Sequence, residues 1–85
     1  MTRAMARTIA PSVSLEPQLE LLDLELLRLL SMRQELTRQM AVRRHEAGQP
    51  QFDHQAEFAV IQRFRELGPA GLELAALLLR MSRAR

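Results

Sequence analysis

Between Glu20 and Ala47 the chain contains neither glycine nor proline, and its apolar residues recur with the period of a helix. They stand at Leu15, Leu19, Leu22, Leu26, Leu29, Leu36 and Met40, in steps of three, four or seven. Ser14 is placed to act as N-cap, and Pro17 is tolerated in a first turn, where its missing N–H has no partner anyway. Glu16 and Glu20 suit the positive end of the helix dipole, and Gly48 and Pro50 stop the run. A helix of about 30 residues is a rod about 45 Å long. Leu21, Leu24, Leu27 and Leu30 make it apolar on more than one face, and two short helices cannot cover it. Such a rod needs a second copy of itself, so the pattern predicts a homodimer.

The remaining residues are long enough for two short helices. Residues 48–53 read as a loop. A second helix is expected from Asp53 or His54, with Asp53 as N-cap and Phe58, Ile61, Phe64 and Leu67 on its buried side. Gly68-Pro69 ends it. A third helix is expected from about Ala70 to Ser82, with Leu74, Leu77, Leu78 and Met81 on one side and Leu72, Ala75 and Leu79 on the other. No stretch alternates cleanly enough to be a strand. The expectation is an all-α domain over residues 14–85, one long and two short helices in an intertwined homodimer. Residues 1–13 are small, polar and broken by Pro11, and read as a disordered arm.

Composition removes several function classes. A chain of 85 residues is one domain at most and buries little surface alone. It has no cysteine, and His45 and His54 are too far apart in sequence to form a helical ligand pair, so no metal site is expected. All twelve basic residues are arginines, but the formal net charge is only +2 and there is no Trp or Tyr to stack on bases. A nucleic-acid partner is not expected. No apolar run reaches the roughly 18 residues of a membrane span. The segment from Met1 to Ser14 has Arg3 and Arg7 but no apolar signal core, so a cytoplasmic protein is expected.

The apolar stripe of the long helix is interrupted by charge. Arg33 falls between Leu29 and Leu36, and Arg44 follows Met40 by four. Eleven residues separate the two arginines, so they point within about 20° of each other and lie about 16 Å apart. A guanidinium cannot lose its proton and is costly to bury unpaired. Two readings stay open: each arginine pairs with a protein carboxylate, or the two line a pocket for a small dianion. Glu57, on the Ile61/Phe64 side of the second helix, fits either one, as a salt-bridge partner or as acceptor of a ligand hydroxyl. Arg83, four residues after Leu79, adds a third cation. No Ser–His–Asp or Cys–His set is in evidence.

The opening stretch, Leu15, Leu19-Glu20, Leu22-Asp23, Leu26-Leu27, Leu29-Leu30 and Arg33, resembles the first helix of the all-helical chorismate mutases. Glu66-Leu67-Gly68-Pro69 and Leu77-Leu78-Leu79-Arg80-Met81-Ser82-Arg83 resemble the ending of the family's short actinobacterial subclass. The resemblance covers roughly residues 15–85 and implies an intertwined three-helix dimer with two sites. It implies the Claisen rearrangement of chorismate to prephenate, in aromatic amino-acid biosynthesis, with no cofactor. By the same resemblance Arg33 would bind a substrate carboxylate, and Arg44 a carboxylate and the ether oxygen. Glu57 would accept from the ring hydroxyl with Asp53 nearby, and Leu79 and Arg83 would line the closing end. Short members resemble partners of the first shikimate-pathway synthase, which activates them.

Two positions depart from the family pattern. The first-helix arginine that reaches the partner subunit's site is matched here by Glu16, and the arginine before the catalytic glutamate by Ala56. Both changes predict weaker substrate binding. Two alternatives therefore stand beside the mutase: a relative with an altered ligand or a noncatalytic regulatory role, and a plain helical dimerisation module.

Overall fold

A computed structural model of the chain describes residues 14–83, and the arm expected over residues 1–13 lies outside them. Three helices follow one another: α1 (Leu15–Glu46), α2 (His54–Phe64) and α3 (Pro69–Arg83), with a 3-10 turn (Arg65–Leu67) between the last two. Among the described residues there is no strand, and the fold is all-α. The described residues fall into two compact units, one ending at Met32 and the other starting at Arg33.

The first unit is helix alone. Every leucine from Leu15 to Leu29 leaves 45% or more of its surface exposed. The Ser14 hydroxyl donates to the Glu16 carboxylate, and Arg28 pairs with Glu25 one turn before it. Exposed pairs of this kind contribute little, because water screens them, so local charge does not replace the missing apolar partner.

The second unit carries the tertiary structure. Its stretch of α1 ends where the sequence places the stop, and backbone geometry shows why. Gly48 sits at φ +69, its N–H donates to the His45 carbonyl at 3.1 Å, and Gln49 N–H donates to the Arg44 carbonyl at 2.8 Å. This is the Schellman closure, which needs a left-handed residue at the position glycine occupies. α2 starts at the expected cap: Asp53 Oδ1 accepts from the backbone N–H groups of Gln55 and Ala56, at 3.0 and 3.2 Å. On the outer face of α1, hydrogen bonds from Arg38 and then Gln39 hold the Glu35 carboxyl down to about 2. That small contribution is present above the ordinary carboxylate range and fades as pH falls towards 2.

α2 and α3 meet at small residues. The buried positions of α3 are Gly71, Ala75 and Leu78, an i, i+4, i+7 stripe that Ser82 continues half-buried. This stripe cuts across both expected groupings of α3, and Leu72 and Leu77 are exposed in the single chain. The reason is a close backbone approach: a Cβ on Gly71 would lie 1.9 Å from the Phe64 carbonyl oxygen and 2.8 Å from Leu67 Cβ. The buried side of α2 also differs from the expected one. Ala56, Glu57, Val60, Ile61 and Phe64 are its half-buried residues, whereas Phe58 and Leu67, expected inside, are 59% and 49% exposed.

Candidate functional site

One cavity of about 410 Å³ lies within the second unit, between α1, the loop before α2, α2 and α3. Its volume is in the range of small-molecule sites. Arg33, Arg44, Asp53, Glu57, Leu79 and Arg83 all line it, so the fold brings these six residues to one place, whereas Glu16 does not line it. The helix geometry explains the two α1 arginines. Arg33, Thr37, Ala41 and Arg44 are the half-buried residues of α1 in this unit, in steps of four, four and three. The arginine line therefore runs through Thr37 and Ala41, two small side chains that leave room beside them. Leu36, expected on that line, is 59% exposed, and Met40 reaches the cavity from its edge.

The cations differ in how firmly they are held. Arg33 Nη1 donates to Ser82 Oγ at 3.2 Å, and that hydroxyl donates on to the Leu78 carbonyl at 3.0 Å. Among the described residues Arg33 has no carboxylate partner, although it is half-buried. Arg44 Nη1 donates to the Gln51 carbonyl at 3.4 Å, and Arg44 Nη2 lies 3.8 Å from Asp53 Oδ2. Both contacts are at the long limit of their kind and weak. Asp53 divides its work, one oxygen capping α2 and the other facing Arg44. Arg83 by contrast is paired closely with Glu57 and lies over the Phe52 ring.

Sequence reasoning did not single out Arg63, Phe52, Gln51, Thr37 or Ser82, all of which line the cavity. Arg63 was within reach of the pattern, since it follows Ala56 by seven residues, two turns along the same face of α2. Phe52 and Gln51 lie in a loop, where no period marks a side. With Arg63 counted, four arginines and two carboxylates surround the cavity, an excess of two positive charges. The arrangement has an apolar wall in Met40, Val60 and Leu79, no nucleophile beside a base, and cations free to take anions. Among the described residues no cluster of side chains suits a metal ion.

The same stretch of chain matches known proteins. Residues 15–81 match the family described as chorismate mutase type II. The intracellular chorismate mutases of Mycobacterium bovis and Mycobacterium tuberculosis are 39% identical to the chain over 72 residues, covering 85% of this chain and 69% of theirs. A family match that opens with the first residue of α1 and closes two residues before the end of α3, supported by such relatives, shows that the chain belongs to the type II chorismate mutases.

Proposed function

We propose that the chain is a chorismate mutase and that this cavity binds chorismate and rearranges it to prephenate. The observation that carries the reading is the charge around the cavity: two positive charges in excess, with Arg33 lacking any carboxylate partner among the described residues. Chorismate brings two carboxylates and supplies the anions that the half-buried guanidiniums lack.

The reaction breaks the ether C–O bond while a C–C bond forms between the enolpyruvyl methylene carbon and the ring. All atoms are kept and no proton is transferred, so neither a nucleophile nor a cofactor is needed. The protein holds the side chain folded over the ring and sets charge against the oxygen on which negative charge grows. Arg33 exchanges the Ser82 hydroxyl for a substrate carboxylate. Arg44 takes a carboxylate and the ether oxygen, and its long contacts to Gln51 and Asp53 cost little to give up. Glu57 accepts from the ring hydroxyl, with Asp53 nearby. Leu79 and Arg83 close the far end.

The working unit is a homodimer. Among the described residues only Ala75 and Leu78 are buried apolar side chains, too small a core to offset the conformational entropy of some 70 ordered residues. The exposed leucines of α1 provide the surface for a second copy. Sedimentation equilibrium at micromolar concentration is expected to give twice the 9.8 kDa chain mass. A folded helical monomer at that concentration contradicts this assembly.

The enzyme works inside the cell, in line with the printed name of its mycobacterial relatives, and among the described residues no helix is long and apolar enough to cross a membrane. Its rate alone is low, because Glu16 and Ala56 replace two cations, and the first synthase of the shikimate pathway raises it. Initial rates of chorismate consumption with and without that synthase test this. A rate above the enzyme-free control, increased by the synthase, is expected. No consumption in either case overturns the catalytic reading and leaves a regulatory subunit.

Glu16 gives a further prediction. A carboxylate about 5 Å from a substrate carboxylate costs about 3 kcal/mol at an effective dielectric near 20, and solvent at a helix start at least halves that. Glu16→Arg is therefore expected to lower KM for chorismate at least about tenfold, with most of the gain lost in high salt. A KM unchanged within about twofold in a folded dimer removes residue 16 from the partner's site.

A further inference from the structure

Phe52 is an aromatic ring left 45% exposed in a loop, with the Arg83 guanidinium carbon 4.6 Å from its centroid. Both of its flanks are anchored. The Schellman closure at Gly48 fixes the end of α1, and Asp53, directly after Phe52, is held in extended geometry (φ −116, ψ 105) by its cap hydrogen bonds. Arg83 is the reverse case. It is the last residue of α3, where a helix frays and the backbone positions a side chain poorly. What places its guanidinium must come from side chains, and two do: Glu57, by an ion pair, and Phe52, by its ring face.

The two contacts do different things. A carboxylate uses N–H donors and cancels charge. A ring face uses no donor and leaves the charge standing. A guanidinium has five N–H donors, and the Glu57 contact engages Nη2 alone. The ring face therefore holds the guanidinium in place while its remaining donors stay available to an anion in the cavity.

We propose that Phe52 is a positioning residue of this site, acting through Arg83: its ring holds the Arg83 guanidinium at the cavity mouth, ready for an anionic substrate. The proposal rests on the chorismate reading above. It assigns Phe52 a part in substrate affinity, with no contact to the reacting atoms.

The test uses the full chain and four variants: Phe52→Leu, Phe52→Tyr, Arg83→Gln, and the double variant Phe52→Leu/Arg83→Gln. Phe52→Leu keeps an apolar side chain and removes the ring, and is expected to raise KM for chorismate about two- to fivefold with kcat and melting temperature unchanged. Phe52→Tyr keeps the ring face and is expected to keep the wild-type KM. In the double variant KM is expected to equal that of Arg83→Gln alone, because the ring acts only through the guanidinium. In ligand-free protein the Arg83 Nε–H proton is expected to show a ring-current shift that Phe52→Leu abolishes and Phe52→Tyr retains.

An unchanged KM in Phe52→Leu, or KM effects of the two single variants that multiply, overturns the proposal while leaving the mutase reading intact. A wild-type chain that does not turn over chorismate overturns both. Even then the ring-current shift decides the contact itself, and an unshifted Arg83 signal rejects it.

Discussion

Arg44→Ala is expected to lower kcat for prephenate formation by about two orders of magnitude or more, with circular dichroism unchanged. The size follows from what Arg44 does in each state. In the ligand-free chain its side chain, 23% exposed, makes one hydrogen bond at 3.4 Å and one ion pair at 3.8 Å. Contacts that long contribute at most about 1 kcal/mol to stability. In the proposed transition state the same guanidinium faces an ether oxygen whose charge has grown. Losing a donor there costs far more than losing the ground-state contacts. Steady-state kinetics and a thermal melt on the same preparation check both halves. A variant that melts clearly lower, with activity falling only in step with the folded fraction, makes Arg44 a structural salt-bridge residue.

Gly71→Ala is expected to be the most damaging small change in the second unit. The added Cβ would overlap the Phe64 carbonyl oxygen and press on Leu67 Cβ, so relief requires α2 and α3 to separate. Overpacking of this kind costs about 1–3 kcal/mol, and this clash falls at the upper end because its partner is backbone. The better helix propensity of alanine returns up to about 1 kcal/mol. The net loss, about 2 kcal/mol, lowers the melting temperature of a domain this small by about 10 °C. Activity falls too, since α2 carries Glu57 and α3 carries Arg83. A melting temperature unchanged from wild type means that the helices do not approach this closely at residue 71.

Much of the fold was legible because its stops and starts are local. Gly48, Asp53 and Gly68 act through their own backbone conformation or a side chain reaching two or three residues on, and a sequence states such things directly. The candidate site was legible where it lies on helices. The eleven-residue spacing of Arg33 and Arg44 puts them on one face whatever packs there, and Glu57 and Arg83 fall on stripes of α2 and α3.

What stayed hidden depends on how closely elements approach. Leu36, Phe58 and Leu77 look like core by period, yet the single chain packs around Thr37, Ala41, Gly71 and Ala75. Small residues carry no hydrophobic signal that would announce a contact face. The Arg33–Ser82 hydrogen bond joins residues 49 apart, and the Phe52–Arg83 contact joins a loop to a helix end. Neither has a period to read.

The most direct measurement for the account as a whole is product identification by proton NMR, with the wild-type chain incubated at high concentration with chorismate. The enol-ether methylene signals of chorismate are expected to disappear as the saturated side-chain methylene signals of prephenate grow in equal amount, with no other product and faster than without protein. Chorismate that persists at the enzyme-free rate would contradict it, as would release of pyruvate and a hydroxybenzoate in place of prephenate.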